Sequence, residues 1–440
     1  MNSLEKYQIF LFFLFLTITT FLFMKSINAN FAFIDDHVML RSENKRALKD
    51  FSIKNIVTTF KHSHEGLYHP IVTLSYSLEK TIFGFCPAIF HFDNVILHLI
   101  NTVLVFLIFL QLSKSFWLSF IIMMFFAIHP TRCEVVCWIS ARKDLMYSIF
   151  YLLSIFSYIK TYEKKKVLFW LYLSIFFYLL SCFSKSMAIT LPFVILLIDL
   201  YTNRFNIKKA IIFLFYIIIT LIFALVTIHV HYEGNGYFFD FFRHFLNFIN
   251  AHFNILFYLD KLILPINLYC MYPYFYNTFE SLPPFYILYS PAILYILIFF
   301  VFLSLKKTKV IFYGFLFFII SIFPVSGILP IGDFAVADRY TYIPYLGLFF
   351  IIAKFIMFLY KKRYNIKIKN KIFNVSNFVK ISIICLCIIS FSELGYLTYN
   401  RIIDWIENKY YAPKWMKYYQ FGFIKKDNIN KSSYSTYKNG

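Results

Sequence analysis

Eleven apolar runs separated by short polar turns constrain this 440-residue chain more than any other feature. They lie at 8–24, 92–112, 115–129, 145–159, 167–183, 187–201, 210–230, 285–305, 310–330, 342–360 and 378–399. Most approach the ~20 residues that carry a helix across a ~30 Å hydrocarbon core. They are about twice the length of a barrel strand and do not alternate. Only 15% of the residues are charged, against roughly 25% in soluble domains, and the mean hydropathy is +0.66. The expected class is an all-α polytopic membrane protein, a bundle of about 11 transmembrane helices.

The net charge of +21 does not point to a nucleic-acid partner, because the cations sit in the turns. There they act as topology signals and meet anionic lipid. Lys114, Lys160 with Lys164–Lys166, Arg204 with Lys208 and Lys209, Lys306 with Lys307 and Lys309, and the run Lys361–Lys371 mark one side as the inner face. By parity, segments 25–90, 130–144, 184–186 and 331–341 then lie on the outer face, with the amino end inside and the carboxyl end outside. Between the turns at 204–209 and 306–309 the number of crossings must be even. The stretch 251–266, broken by Pro265, is therefore expected to be interfacial or re-entrant. Irregular backbone survives at membrane depth only where protein or water covers it, so this segment is expected to line a cavity.

Residues 1–400 are expected to form one transmembrane domain, with 25–90 as a long first outer loop. In that loop NIVTTF (55–60) and IVTLSYSLEKTIFG (71–84) read as short interfacial helices, the second stopped by Gly84. Residues 401–440 read as a tail, interfacial where Trp405, Tyr410, Tyr411 and Trp415 lie among lysines and polar beyond. The first apolar run follows one Glu and one Lys and reads as an uncleaved helix. The seven cysteines form no disulfide or zinc framework. The histidines, His62, His64, His69, His91, His98 and His129 among them, match no metal spacing, and no metal site is expected from them.

The chemistry-bearing residues gather on the outer side. A carboxylate in lipid costs about 2.5–3.5 kcal/mol, so Asp35 and Asp36 belong at that surface. Adjacent carboxylates repel, which raises one pKa and makes a better base; such a pair can also hold a divalent cation. On the same face stand Arg142, Lys143, Lys185 and Arg339, a set suited to an anion such as a phosphate, with Arg favoured where a planar fork grips oxygens. Glu134, Asp144 and Asp338 lie beside them as alternative salt-bridge partners.

FIDDHVML, YHPIVTLSYSLEKTIFGFCPAIFHFDNVILHLIN, FFAIHPTRCEVVCWISARKDLMYSIFYLLSIFSY and LLSCFSKSMAITLPFVILLIDL follow one another in this order. Together they resemble the membrane half of the transmembrane and tetratricopeptide-repeat family of protein O-mannosyltransferases. YLDKLILPINLYCMYPY and PVSGILPIGDFAVADRYTYIPYLG are similar to its bacterial branch. The resemblance covers roughly residues 30–350. It implies a GT-C type glycosyltransferase fed by a polyprenyl-phosphate sugar, with the acidic pair at Asp35 and Asp36. The family's HP…E…W…GRKD block falls on His129, Pro130, Glu134, Trp138, Arg142, Lys143 and Asp144. His69, His91, Asn94, Asp338 and Tyr340 complete the expected lining. Two departures stand out. Ala141 replaces the usual glycine, and SKS at 184–186 lacks the acid that normally follows the lysine. The repeats are expected to be absent as well: the stretch 400–440 leaves room for one ~34-residue helical pair where at least three are needed, so acceptor capture is expected to use another surface, a partner or none.

The implied reaction moves a hexose, mannose by resemblance, to a hydroxyl of a protein Ser/Thr or a glycan. Asp35 is the expected base, Asp36 orients, and Arg142, Lys143, Lys185 and Arg339 hold the lipid phosphate. One displacement inverts the anomeric centre. Besides the donor, the only cofactor this chemistry leaves open is a divalent cation. The resemblance favours a bacterial inner membrane with the site facing the periplasm over the endoplasmic reticulum lumen. The rival readings are a transporter or flippase, an O-antigen ligase or polymerase, and a non-catalytic scaffold. A transporter would carry internal repeats, which are not visible here. A ligase would concentrate its cations in a large late outer loop.

Overall fold

The computed structural model describes residues 3–32, 36, 51–62, 68–163, 165–235, 241–270, 272–273, 285–328, 334–362, 365–368, 371–374 and 376–409. Among them the chain is built of helices: α1 (Ser3–Met24), α2 (Ile53–Lys61), α3 (Pro70–Phe83), α4 (Pro87–Ser113), α5 (Phe116–Ile128), α6 (Arg132–Cys137), α7 (Arg142–Lys160), α8 (Val167–Cys182), α9 (Leu191–Tyr201), α10 (Ile207–Asn235), α11 (Phe241–Ile263), α12 (Phe285–Ser304), α13 (Lys309–Ile322), α14 (Tyr345–Lys361) and α15 (Ser376–Ile406). Each of the eleven apolar runs falls on one of these helices. Four spans, within α1 and its short continuation, α4, α10 and α15, are long and apolar enough to cross a membrane. Others, such as α5, α8 and α13, are apolar but shorter.

The outer surface differs from that of a soluble protein. Phe21 is 75% exposed, Leu225 66% and Phe378 74%, all on long helices, while the interior combines a large apolar core with buried serines, threonines, asparagines and arginines. An apolar outside around an interior whose polar groups are hydrogen-bonded is the arrangement lipid demands of a multi-pass chain.

Local chemistry sets the boundaries. Pro70 and Pro87 occupy the first turns of α3 and α4, where the missing N–H costs nothing. Ser52 caps α2 by accepting from the Asn55 amide. Gly84 ends α3 at φ 67°, a left-handed conformation that favours glycine. The two short helices expected in the first loop are thus α2 and α3. α11 begins well before the expected 251 and runs as 23 helical residues to Ile263. Beyond it Tyr272–Pro273 (β1) pairs antiparallel with Phe334–Val336 (β2), so two late motifs, YCMYPY and DFAVADRY, are stitched together. A second ladder, Asn365–Ile368 (β3) with Lys371–Asn374 (β4), occupies the Lys-rich turn. These short strands lie outside the apolar runs. α15 continues past residue 400, and Arg401, Ile402 and Trp405 are buried in its last turns. The expected boundary between domain and tail therefore falls inside a packed helix.

Two devices lock the bundle away from the first loop. Asp199 in α9 accepts from Tyr158 Oη at 2.5 Å and Tyr162 Oη at 2.7 Å, with Lys209 Nζ at 3.7 Å from its other side of the turn. This buried carboxylate is satisfied by two phenols and a cation, which offsets its desolvation. α13 and α14 cross with glycine against glycine. A Cβ on Gly347 would lie 2.2 Å from the Gly314 carbonyl oxygen, so nothing larger fits without separating the helices.

Gly347→Ala is expected to cost about 1–3 kcal/mol through overpacking, read as a lower unfolding midpoint in detergent. Gly395→Ala, where nothing stands within 4 Å of the added carbon, is expected to leave the midpoint unchanged.

Candidate functional site

The site is organised by a break after α5. Pro130 disfavours helical geometry at the residue before it, and His129 is extended (φ −67°, ψ 134°). The chain then makes the short helix α6, a 3-10 turn over Ile139–Ala141, and starts α7 at Arg142. This whole stretch is buried. Its backbone is held from several directions. Tyr76 Oη donates to the Ile139 carbonyl at 2.7 Å, and Asn94 Nδ2 donates to the Trp138 carbonyl at 3.2 Å.

Asp36 is tied to the same turn. One carboxylate oxygen accepts from the Ser140 amide at 2.9 Å and the Ser140 hydroxyl at 2.5 Å; the other accepts from the Ala32 amide at 2.7 Å. Asp36 is fully buried, so three donors replace its water. The neighbouring Asp35 lies outside the described residues.

Each of three cations meets a carboxylate. Arg142, 1% exposed, bridges Glu79 at 2.5 Å through Nη1, donates to Asn94 Oδ1 at 3.0 Å through Nε and to the Phe90 carbonyl at 2.9 Å through Nη2. All three of its nitrogens thus serve protein acceptors, and it braces α3 and α4 against the turn. Lys185 pairs with Asp144 at 2.5 Å. Arg339 forms an ion pair with Glu134 Oε1, and its backbone amide donates to Glu134 Oε2 at 2.8 Å. Tyr340 lies between two of these cations, its ring centroid 5.3 Å from Lys185 Nζ and 4.8 Å from the Arg339 guanidinium. Arg339 also lies 5.1 Å from the Trp138 ring. Lys143 is half-buried beside them.

Burial sets the electrostatics. Desolvation pushes the Glu134 carboxyl up, and the Arg339 charge pulls it part of the way back. Asp338 is raised to about 8, by burial first and then by the negative charge of Glu134. Burial lowers the Lys185 ammonium to about 8, against the pull of Asp144.

Of the expected lining, Asp36, Asn94, Glu134, Trp138, Arg142, Asp144, Lys185, Asp338, Arg339 and Tyr340 come together around this turn. Two of the expected histidines, His69 and His129, have hydrogen-bond partners in the fold. His69 Nδ1 is 3.2 Å from the Thr73 hydroxyl. His129 lies 2.9 Å from the Thr131 hydroxyl and 3.3 Å from the Leu262 carbonyl. His91 is buried in α4. Among the described residues no group of three metal-ligating side chains is present.

Sequence reasoning passed over four contributors. Glu79 is the single acid of α3, next to Lys80, and its pairing with Arg142 appears only in three dimensions. Arg132 is fully buried and donates to the Tyr342 carbonyl at 2.8 Å and the Thr341 carbonyl at 3.1 Å, fastening α6 to the Asp338–Thr341 turn. Ser140 supplies both donors to Asp36 Oδ1. Arg401 is buried at the end of α15, one turn from Thr398, whose hydroxyl donates to the Ile128 carbonyl at 2.6 Å, and one turn from Trp405, which stacks on Trp138 at 6.3 Å. The spacing 398, 401, 405 is a helical stripe, and that signal was available.

Removing one partner of the Glu134–Arg339 pair leaves an uncompensated buried charge. Glu134→Ala and Arg339→Ala are each expected to cost about 3–5 kcal/mol. The double variant should cost less than their sum in a thermal-unfolding double-mutant cycle.

Comparison with known proteins gives a consistent direction. The chain is 30% identical over 163 residues to protein O-mannosyl-transferase TMTC1 of Mus musculus, covering 35% of this chain and 17% of that protein. It is 38% identical over 107 residues to TMTC2 of Mus musculus, 23% of this chain and 12% of that one. It is 26% identical over 216 residues to TMTC4 of Homo sapiens, 42% of this chain and 29% of that one. No protein-family model and no solved structure matches. The aligned part is less than a third of each of these relatives, and the chain is a distant homologue of part of the protein O-mannosyl-transferases.

Proposed function

We propose that this chain is an integral-membrane glycosyltransferase, taking a hexose, mannose by analogy with the names of its relatives, from a polyprenyl-phosphate donor to a hydroxyl acceptor on a protein. The observation that carries the reading is the attachment of Asp36 to the Ser140 turn. It tethers Asp36 to a block whose next residues are Arg142, Lys143 and Asp144, with Lys185 and Arg339 at hand.

In this proposal Asp36 is the anchor and Asp35 the base. The acceptor oxygen attacks C1 of the sugar and its proton passes to the Asp35 carboxylate. The C1–O bond to phosphate breaks, and the electron pair leaves with the polyprenyl phosphate, inverting the anomeric centre. The leaving group needs no acid, only cations for its growing charge. Lys185, Arg339 and Lys143 take that role. Arg142 does not: its nitrogens are committed to Glu79, Asn94 and Phe90, and it positions the turn instead. The bacterial branch, the GT-C class and an outer-face location belong to this proposal as well.

The test is transfer of labelled mannose from polyprenyl-phosphate mannose to peptide acceptors by purified protein. Asp35→Asn is expected to lower kcat by roughly 10²–10⁴-fold, the usual worth of a general base; full turnover would remove Asp35 from the mechanism. Because Lys185 loses its proton near pH 8, kcat/KM is expected to fall above that pH. Lys185→Arg, whose cation persists, should move this limb upward, and an unmoved limb would detach Lys185 from the phosphate.

A further inference from the structure

A cavity of about 120 Å³ lies between α4, α7, α9, α13 and the first half of α14. Its walls are apolar, Ile108, Leu112, Ile155, Leu197 and Phe317 among them. The cavity is separate from the site. On α4 its lining runs from Val105 to Ser113, roughly 17–28 Å from Asn94 at 1.5 Å per residue. The cavity therefore reaches from the middle of the bundle toward the end away from the Ser140 turn. Its size is close to the ~150 Å³ of apolar cavities that stay dry and accept a benzene-sized molecule. It suits a short length of one hydrocarbon chain rather than a whole lipid.

Lys354 lines this cavity. Its ammonium lies 5.6 Å from the Phe350 ring centroid, and no carboxylate pairs with it among the described residues. Tyr201 and Tyr313, with ring centroids 5.4 Å apart, form another part of the wall. Lys309, one turn from Tyr313, donates to Asn203 Oδ1 at 3.2 Å, and the exposed Lys114 follows Ser113 at the rim. A half-buried cation in the wall of an apolar cavity, with no carboxylate paired to it among the described residues, matches a molecule with a hydrocarbon chain and an anionic head.

We infer that this cavity holds part of one acyl chain of an anionic phospholipid, with its phosphate on Lys354. Apolar burial supplies the anchorage, and the cations select the head group. The inference uses only the membrane-embedded fold and does not depend on glycosyl transfer.

The test is lipid-dependent thermal stability of the full chain, with phosphatidylglycerol, phosphatidylcholine or polyprenyl phosphate titrated into delipidated protein in detergent. Phosphatidylglycerol is expected to raise the midpoint at about fivefold lower concentration than phosphatidylcholine, the preference one interfacial cation gives. Lys354→Gln should unfold at the native midpoint without lipid but lose that preference. Leu112→Phe, which places a ring in the cavity, should lose the response to both lipids. Equal responses to the two phospholipids in the native protein, or a preference retained by Lys354→Gln, overturn the inference. A polyprenyl phosphate response stronger than that of phosphatidylglycerol and abolished by Leu112→Phe also overturns it, by giving the cavity to the carrier lipid. Should Leu112→Phe unfold without lipid, Ile108→Phe replaces it, with the same readings.

Discussion

The buried ion pair between Glu134 and Arg339 holds together parts of the chain 205 residues apart. Neither charge is stable alone in that environment. An unpaired buried ion costs several kcal/mol, and mutual attraction repays this only when the geometry is close and the remaining polar atoms are satisfied. The chain meets that condition by using both oxygens of Glu134, one for the guanidinium and one for the Arg339 amide. The backbone of the Asp338–Thr341 turn is thereby fixed, and Arg132 secures its other end. Once this turn is placed, so are Asp338 and Tyr340, and through the β1–β2 ladder the segment around Cys270. The rest of the site is assembled around that constraint.

Much of this architecture was legible in the sequence, because membrane helices announce themselves by apolar length. The prolines at 70, 87 and 130 and the glycine at 84 act where elementary stereochemistry says they must. The gathering of charged blocks around one turn follows from the same parity argument. Pairing was not legible. Arg142 reads as a phosphate ligand in sequence, and its bond to Glu79, 63 residues away in the chain, appears only in three dimensions. A charge at a membrane surface can be solvated, paired or bound to substrate, and the choice depends on which helix faces approach one another. The end of α15 is a related case. Arg401 and Trp405 have the composition of an interfacial tail, yet both are buried in the fold, where Trp405 stacks on Trp138 and the Thr398 carbonyl, one turn before Arg401, accepts from Cys133.

The missing acid after Lys185 takes on a physical meaning here. Ser186 stands where the related pattern carries a carboxylate, and in this fold the Lys185 ammonium is served by Asp144 from α7. A lysine held by a neighbouring helix has a more fixed position than one served by the next residue in the chain. It also faces competition, since any phosphate that Lys185 binds must share it with Asp144. The second oxygen of Asp144 is buried without a hydrogen-bond partner, so that carboxylate is itself incompletely satisfied in the resting state.

Sharing of this kind suits the proposed reaction. A polyprenyl-phosphate sugar is a phosphodiester with one negative charge, and its leaving group approaches two as the bond to the sugar breaks. Cations already paired with carboxylates attract the first charge weakly, because each pair is close to neutral. They attract the second more strongly, since Lys185 and Arg339 then have a better acceptor than the carboxylate each holds at rest. Interactions stronger in the transition state than in the ground state accelerate the chemical step. Those equally strong in both only tighten binding. In the proposed reaction the resting ion pairs would thus do two things at once: keep buried cations in place before substrate arrives, and leave most of the electrostatic gain to the moment when charge moves onto the phosphate.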